Sequence, residues 1–338
     1  MELKFLGVSA ATPTQDRNLS SFALRLDSGE LLIFDAGEYV QRRFEAAKLK
    51  FNTPTTILIS HLHGDHILGL AGLLFRFHLN ERTAPVRIIG PYGIASFLLS
   101  HYHFVGLKAT KYPLTLIEVS YPRLNTPPGQ MMMTHYSYFL SENLHRHIIQ
   151  HTSSDIFVNK EYRIKGMWVD HSVPTMGFRF EEADLDGKFN PERALELNIP
   201  KGRLWGIMQD GQSIELNGDT IDPVKEGIVT EKRPGRIIAY SADTGVCPEL
   251  IELAKNATVF VCESTYAYLD EDLAKEKLHL SSKQAAKAAK EANVKQLILT
   301  HFSARYKNIG TLEEEARAIF PNTRAAKDLM SFEIKLNE

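Results

Sequence analysis

The first sixty residues alternate between short runs of aliphatic and aromatic residues and polar turns. Residues 3–8, 22–27 and 31–35 read as strands, with Asp27-Ser28-Gly29-Glu30 as the hairpin turn between the last two. Apolar positions take a helical period over about 38–48, and then Thr55-Thr56-Ile57-Leu58-Ile59-Ser60 forms the continuous run of a buried strand. A helix over about 66–79, a strand over 86–89 and a helix over 93–101 follow. The pattern is mixed α/β with an antiparallel opening.

The C-terminal third repeats this plan. Residues 236–243 predict a strand ending in an acid, as 31–35 do, and 257–262 predict another. Residues 281–293 predict a helix rich in Ala and Lys with Ser281 or Ser282 as its cap. Gln296-Leu297-Ile298-Leu299-Thr300-His301 echoes Ile57-Leu58-Ile59-Ser60-His61, so two similar halves are expected to bring their strand ends to one site. Two segments depart from the plan. Residues 121–160 carry Pro-rich turns, Met131 to Met133 and several histidines, and read as an insertion of unassigned role. Residues 184–234 are polar and turn-rich, with Asn217-Gly218 as a hairpin tip, and read as an inserted, projecting arm.

Composition narrows the class. A chain of 338 residues with 43% hydrophobic content can bury a large core, and we expect a single domain over 1–338. A net charge of −2 excludes a surface coated in basic residues, so any nucleic-acid contact has to come from a local patch. Two cysteines, Cys247 and Cys262, are too few for a disulfide scaffold and fit a reducing cytoplasm. The chain opens directly on a strand, and no apolar run is long enough to span a bilayer, so no membrane association is expected.

The chemistry concentrates in His61-Leu62-His63-Gly64-Asp65-His66, four possible metal ligands in six residues between a strand and a helix. Histidines two apart project to one side of an extended turn, while Asp65 and His66 point elsewhere, so one loop can serve two neighbouring metals. The remaining ligands should lie at other strand ends, and His171, Asp243 and His301 are placed that way.

With this set the chain resembles the metallo-β-lactamase superfamily. Within it, Phe5-Leu6-Gly7, Arg17-Asn18, Phe34-Asp35-Ala36-Gly37-Glu38 and Thr300-His301-Phe302-Ser303-Ala304-Arg305-Tyr306 resemble the motifs of ribonuclease Z. The resemblance implies an αββα sandwich of two similar halves with the arm inserted in the second. It implies two Zn2+ per subunit, one on His61, His63 and His171, the other on Asp65, His66 and His301, with Asp243 bridging. The implied activity is removal of the 3′ trailer of precursor tRNA by hydroxide generated at the metals, leaving a 3′-hydroxyl. Asp65 would accept the proton of the attacking water. Glu263 and His279, in Cys262-Glu263-Ser264-Thr265 and His279-Leu280-Ser281-Ser282, would protonate the leaving oxygen, and Asp35 would orient a ligand histidine. Arg305, Arg17, Lys201 and Arg203 are the expected substrate contacts, and a cytoplasmic homodimer the expected assembly.

The sequence departs from the family pattern in places. Gln15 stands where the early loop has lysine, Arg203 where the arm has the proline of a Gly-Pro motif, and residues 184–234 hold ten acidic against seven basic side chains. The alternative substrate is therefore a small phosphodiester such as a cyclic nucleotide.

Overall fold

The computed structural model describes residues 1–105, 111–120, 131–137, 145–151 and 155–336. Two β-sheets form the centre. In the first, nine strands run in the order 331–333, 2–7, 21–25, 31–34, 55–58, 86–91, 114–120, 131–137, 145–151. Its middle four, Leu31–Phe34 to Leu114–Ser120, are parallel, and the flanking pairs are antiparallel. The second sheet, of seven strands, contains the parallel block Ile237–Tyr240, Val259–Glu263, Leu297–Thr300 and Thr323–Ala325. Each half thus contributes four parallel strands, the αββα plan of the metallo-β-lactamase sandwich. The counterpart of Thr55–Leu58 by sheet order is Val259–Glu263 rather than the echoing Leu297–Thr300.

Alternation along Leu31–Phe34 shows how the layers are built. Leu31 and Ile33 join the core beneath the helices Val40–Ala46 and Leu70–Leu79, with Phe44, Leu73 and Phe77. Phe34 points the other way, stacking on Phe22 at 4.5 Å and meeting Tyr240 of the second sheet edge-on at 5.8 Å. On the far side, the helix Ser282–Glu291 buries Ala285, Ala286, Ala288 and Ala289; Ser281 caps it in a reciprocal pair with Gln284.

Three departures from the sequence expectation have physical causes. The helix expected over 66–79 is two, Gly64–Ile67 and Leu70–Leu79. They part at Gly69, where a Cβ would lie 2.0 Å from the Gly37 carbonyl oxygen, so the loop after Leu31–Phe34 and the histidine loop pack backbone to backbone. The strand expected over 236–243 ends at Tyr240 because Ala242 turns left-handed (φ 55°). The segment 121–160 is not wholly inserted: Met131–Ser137 and His145–His151 extend the first sheet, with Met133 buried. Residues 121–130, 138–144 and 152–154 lie outside the described residues.

The chain divides into two compact units, the second comprising 159–162, 181–236 and residue 336 of the described residues. This unit has its own apolar core of Ala194, Ile199, Met208, Ile214, Ile228 and Val229, with Trp205 and Phe189 against it. Its hairpin Ile214–Leu216/Asp219–Ile221 turns at Asn217 (φ 55°) and Gly218 (φ 91°), the left-handed pair that an Asn-Gly tip predicts. No helix among the described residues is long and apolar enough to cross a membrane.

Candidate metal centre

Strand ends supply the site. Leu31–Phe34 delivers Asp35, Thr55–Leu58 runs into Ser60 and His61, and Leu297–Thr300 ends on His301. Asp35 and His301 both take left-handed backbone (φ 57° and 58°), a conformation that costs a non-glycine residue on the order of 1 kcal/mol and persists where surrounding bonds over-determine it.

Those bonds are the site's organising feature. Buried Asp35 accepts the Ser60 N–H (2.7 Å), the Ser60 hydroxyl (2.9 Å) and the Tyr240 hydroxyl (2.8 Å). It also faces His66 Nδ1 at 2.8 Å. Ser60 Oγ, whose proton goes to Asp35, takes one from His61 Nδ1 at 3.0 Å. Glu263 plays the same part in the other half. It accepts the Thr265 hydroxyl (2.6 Å), faces His279 Nδ1 at 2.8 Å, and Thr265 Oγ1 in turn meets His301 Nδ1 at 2.9 Å. His171 Nδ1 donates to the Leu278 carbonyl (3.0 Å). In His61, His66, His171 and His301 alike, Nδ1 is committed to an acceptor, which leaves the Nε2 lone pair directed inward.

The inward atoms form two groups. His61 Nε2 and His63 Nδ1 are 3.1 Å apart, and His63 Nδ1 and His171 Nε2 are 3.4 Å apart. Donors at 2.0–2.1 Å from a tetrahedral zinc stand about 3.3 Å from one another. In the second group His66 Nε2 and His301 Nε2 are 3.2 Å apart and lie 3.4 and 3.3 Å from Asp243 Oδ2, with Asp65 Oδ2 3.5 Å from both. Asp243 also reaches His61 (3.8 Å), and its buried Oδ1 has no hydrogen-bond partner. Crowded lone pairs and an orphaned carboxylate oxygen are what a cation would satisfy; an imidazole-rich first group suits zinc.

Electrostatics in the metal-free chain agree in part: against burial, Asp243 and then Asp35 hold the His66 pKa well above the usual imidazole value, so its Nε2 proton has to leave before a metal binds. Burial, and then His66 beside it, hold the His61 pKa well below the usual imidazole value. Burial opposes ionisation of Asp243 and Asp65, but the neighbouring histidines override it and hold both carboxyls below the usual range. His279, against burial, is pushed up to about 9 by the charge and hydrogen bond of Glu263. A cavity of about 290 Å3 opens over these groups, lined also by Ala11, Thr12, Tyr266 and Lys277.

Of the expected substrate contacts in this unit, neither Arg17 nor Arg305 lines the cavity. Arg17 is buried, and its guanidinium donates to the carbonyls of Tyr306 (2.8 Å) and Ser303 (3.1 Å), bracing that loop. Arg305 is exposed, over the Tyr266 ring and 3.5 Å from Asp270. Lys201 and Arg203 belong to the second unit, Lys201 lying over the Trp205 ring at 5.7 Å. Sequence reasoning missed Ser60, Thr265, Tyr240 and the Leu278 carbonyl as orienting partners. Ser60 and Thr265 adjoin marked motifs and were discoverable from them; Tyr240 and Leu278 carry no local signal.

The chain is similar to known proteins over nearly its whole length. A family model described as "Anti-Pycsar protein Apyc1" matches residues 1–167, and a "Beta-lactamase superfamily domain" model matches residues 212–302. The chain is 36% identical to a ribonuclease Z of Nitrosopumilus maritimus over 99% of its length and 100% of that protein's. It is 37% identical to one of Synechocystis over 99% and 94% respectively. Among solved structures, human tRNase Z, short form, superposes with a TM-score of 0.66 at 22% identity, covering 99% of this chain and all of the other. A long-form RNase Z from yeast superposes with a TM-score of 0.59 at 17% identity, covering 98% of this chain and 42% of the other.

Proposed function

Because the chain belongs to the ribonuclease Z family, we propose that it is a zinc-dependent endoribonuclease that removes the 3′ trailer of precursor tRNA and leaves a 3′-hydroxyl. The observation that carries this reading is the pair of donor groups with the Glu263–His279 couple at their edge. His61, His63 and His171 would hold one ion; Asp65, His66 and His301 a second; Asp243 would serve both. Two zinc ions there would supply positive charge against a phosphodiester's developing negative charge and acidify water at neutral pH.

The protein's own groups do the rest. Asp65, whose Oδ2 is fixed by the Ala11 N–H at 2.7 Å, is the base that takes a proton from the attacking water. His279, whose pKa the Glu263 carboxylate raises in the metal-free chain, hands a proton to the leaving 3′ oxygen; Glu263 holds the ring and offsets its charge. Asp35 orients His66 directly and His61 through Ser60. Arg305 is the phosphate contact near the site, and Lys201 and Arg203 are contacts to tRNA from the second unit. We further infer a homodimer in the cytoplasm, with two zinc ions per subunit.

The test is cleavage of a 3′-extended precursor tRNA by zinc-loaded protein beside the Asp65→Ala variant. A cut at the trailer junction, lost in the variant while tRNA binding persists, supports the reading. Unchanged turnover in the variant sinks the role of Asp65. A wild-type protein that spares tRNA yet hydrolyses bis-p-nitrophenyl phosphate moves the substrate to a small phosphodiester, the choice that Gln15 and the acidic surplus of 184–234 favour.

A further inference from the structure

The substrate proposed above is a polyanion, and Asp65 and Asp243 line the cavity that would receive its scissile phosphate. Of the arginines expected to meet that charge, Arg17 is spent on the carbonyls of Tyr306 and Ser303, and Arg305 lies outside the residues that line the cavity. Among the described residues that do line it, Lys277 is the one lysine or arginine.

Its position is built into the backbone. The helix Glu271–Glu276 closes with the Lys277 N–H on the Leu273 carbonyl and the His279 N–H on the Ala274 carbonyl (3.0 and 2.9 Å). Between them Leu278 is left-handed (φ 54°). This one turn places the Leu278 carbonyl on His171 Nδ1, His279 on Glu263, and Lys277 on the cavity wall. The Lys277 side chain is half exposed, so its ammonium belongs to the rim rather than the floor. Its partner there, Glu276 at 2.9 Å, is more exposed still, and ion pairs so exposed hold their members loosely.

We propose that Lys277 is a further substrate-positioning residue, its ammonium contacting the phosphate next to the scissile one as the RNA strand leaves the metal cavity. The inference rests on the functional reading above. A contact to a flanking phosphate acts on binding of a polynucleotide and not on a substrate with a single phosphate. It is also sensitive to salt, because each neutralised phosphate of a single strand contributes about 0.7 to the slope of log affinity against log salt.

The experiment compares wild type, Lys277→Gln, Lys277→Arg and the neighbouring Lys275→Gln on 3′-extended precursor tRNA and on bis-p-nitrophenyl phosphate. For tRNA, Lys277→Gln is expected to raise KM about three- to tenfold with kcat held, and to flatten the salt slope of kcat/KM by about 0.7. Lys277→Arg should restore most of the loss, and Lys275→Gln should change little. Hydrolysis of bis-p-nitrophenyl phosphate should match wild type in all three variants. An unaltered KM and salt slope in Lys277→Gln overturns the assignment alone. A parallel fall on both substrates overturns it too, since Lys277 would then support the turn that holds His171 and His279. If wild type leaves tRNA uncut, the functional reading fails and this inference with it.

Discussion

Replacing Asp35 by Asn keeps the shape of the side chain and tests whether its charge directs the histidines. The carboxylate accepts from Ser60 twice and from Tyr240, and faces His66 Nδ1. An amide has one oxygen for these donors and turns an N–H₂ toward the rest. If the oxygen stays on the Ser60 N–H, the amide faces His66 Nδ1 and forces the ring proton to Nε2, 3.2 Å from His301 Nε2. The same swap breaks the Ser60 relay that orients His61. Losing one outer partner of a ligand histidine costs about 10- to 100-fold in metal affinity, and here two histidines are affected. We therefore expect about a 100-fold loss, near 2.7 kcal/mol. Tyr240→Phe supplies the control: it removes a buried hydrogen bond to a carboxylate, worth about 1.5–3 kcal/mol of stability, without touching either ring. Zinc affinity by competition against a chromophoric chelator, with urea denaturation of both variants, separates the two effects. Wild-type zinc affinity in Asp35→Asn, or equal losses in both variants, would refute the reasoning.

Other expectations follow from the same structure. Among the described residues, buried Arg82 has no carboxylate partner and donates to the carbonyls of Ala84, Phe51, Thr53 and Pro85 under the Phe77 ring, so Arg82→Met should cost at least about 3 kcal/mol in urea denaturation; a loss below about 1 kcal/mol would contradict this role. Chelation should lower the melting temperature. Returning zinc at 100 times its Kd should restore about 2.7 kcal/mol, whereas magnesium, which prefers oxygen donors, should restore none. In metal-free protein the raised pKa of His279 makes its pairing with Glu263 a contribution that is full below about pH 6.5 and lost as pH rises through about 9. Stability of the wild type relative to Glu263→Gln should shrink across that window, and a constant difference would mean the pair does not form.

How much of this was legible in the sequence follows from the range of the forces involved. The loop from His61 to His66 and the strand before it are local, and a strand ending in ligands announces itself by apolar run and spacing. The Asn217-Gly218 tip and the Ser281 cap are equally local, each set by the residues that make it. The hydrogen bond between Tyr240 and Asp35 joins residues 205 positions apart across the two sheets, and no periodicity predicts it. The inward turn of Arg17 depends on carbonyls nearly 300 residues away, so its position in a familiar motif suggested an exposed contact. The role of Met131–Ser137 was obscured because its neighbours are irregular, although Met133 and the pairing with Leu114–Ser120 make it ordinary sheet.

The small separate core of the unit that includes 181–236 has a consequence for how the chain comes apart. A cluster built on Ala194, Ile199, Met208, Ile214, Ile228 and Val229 has far less apolar burial to oppose opening than the layered sandwich. Its backbone amides therefore answer to their own, lower opening free energy, and exchange with solvent there need not wait for global unfolding. Denaturation of the whole molecule is then at least a two-step equilibrium, and one midpoint would average two different events.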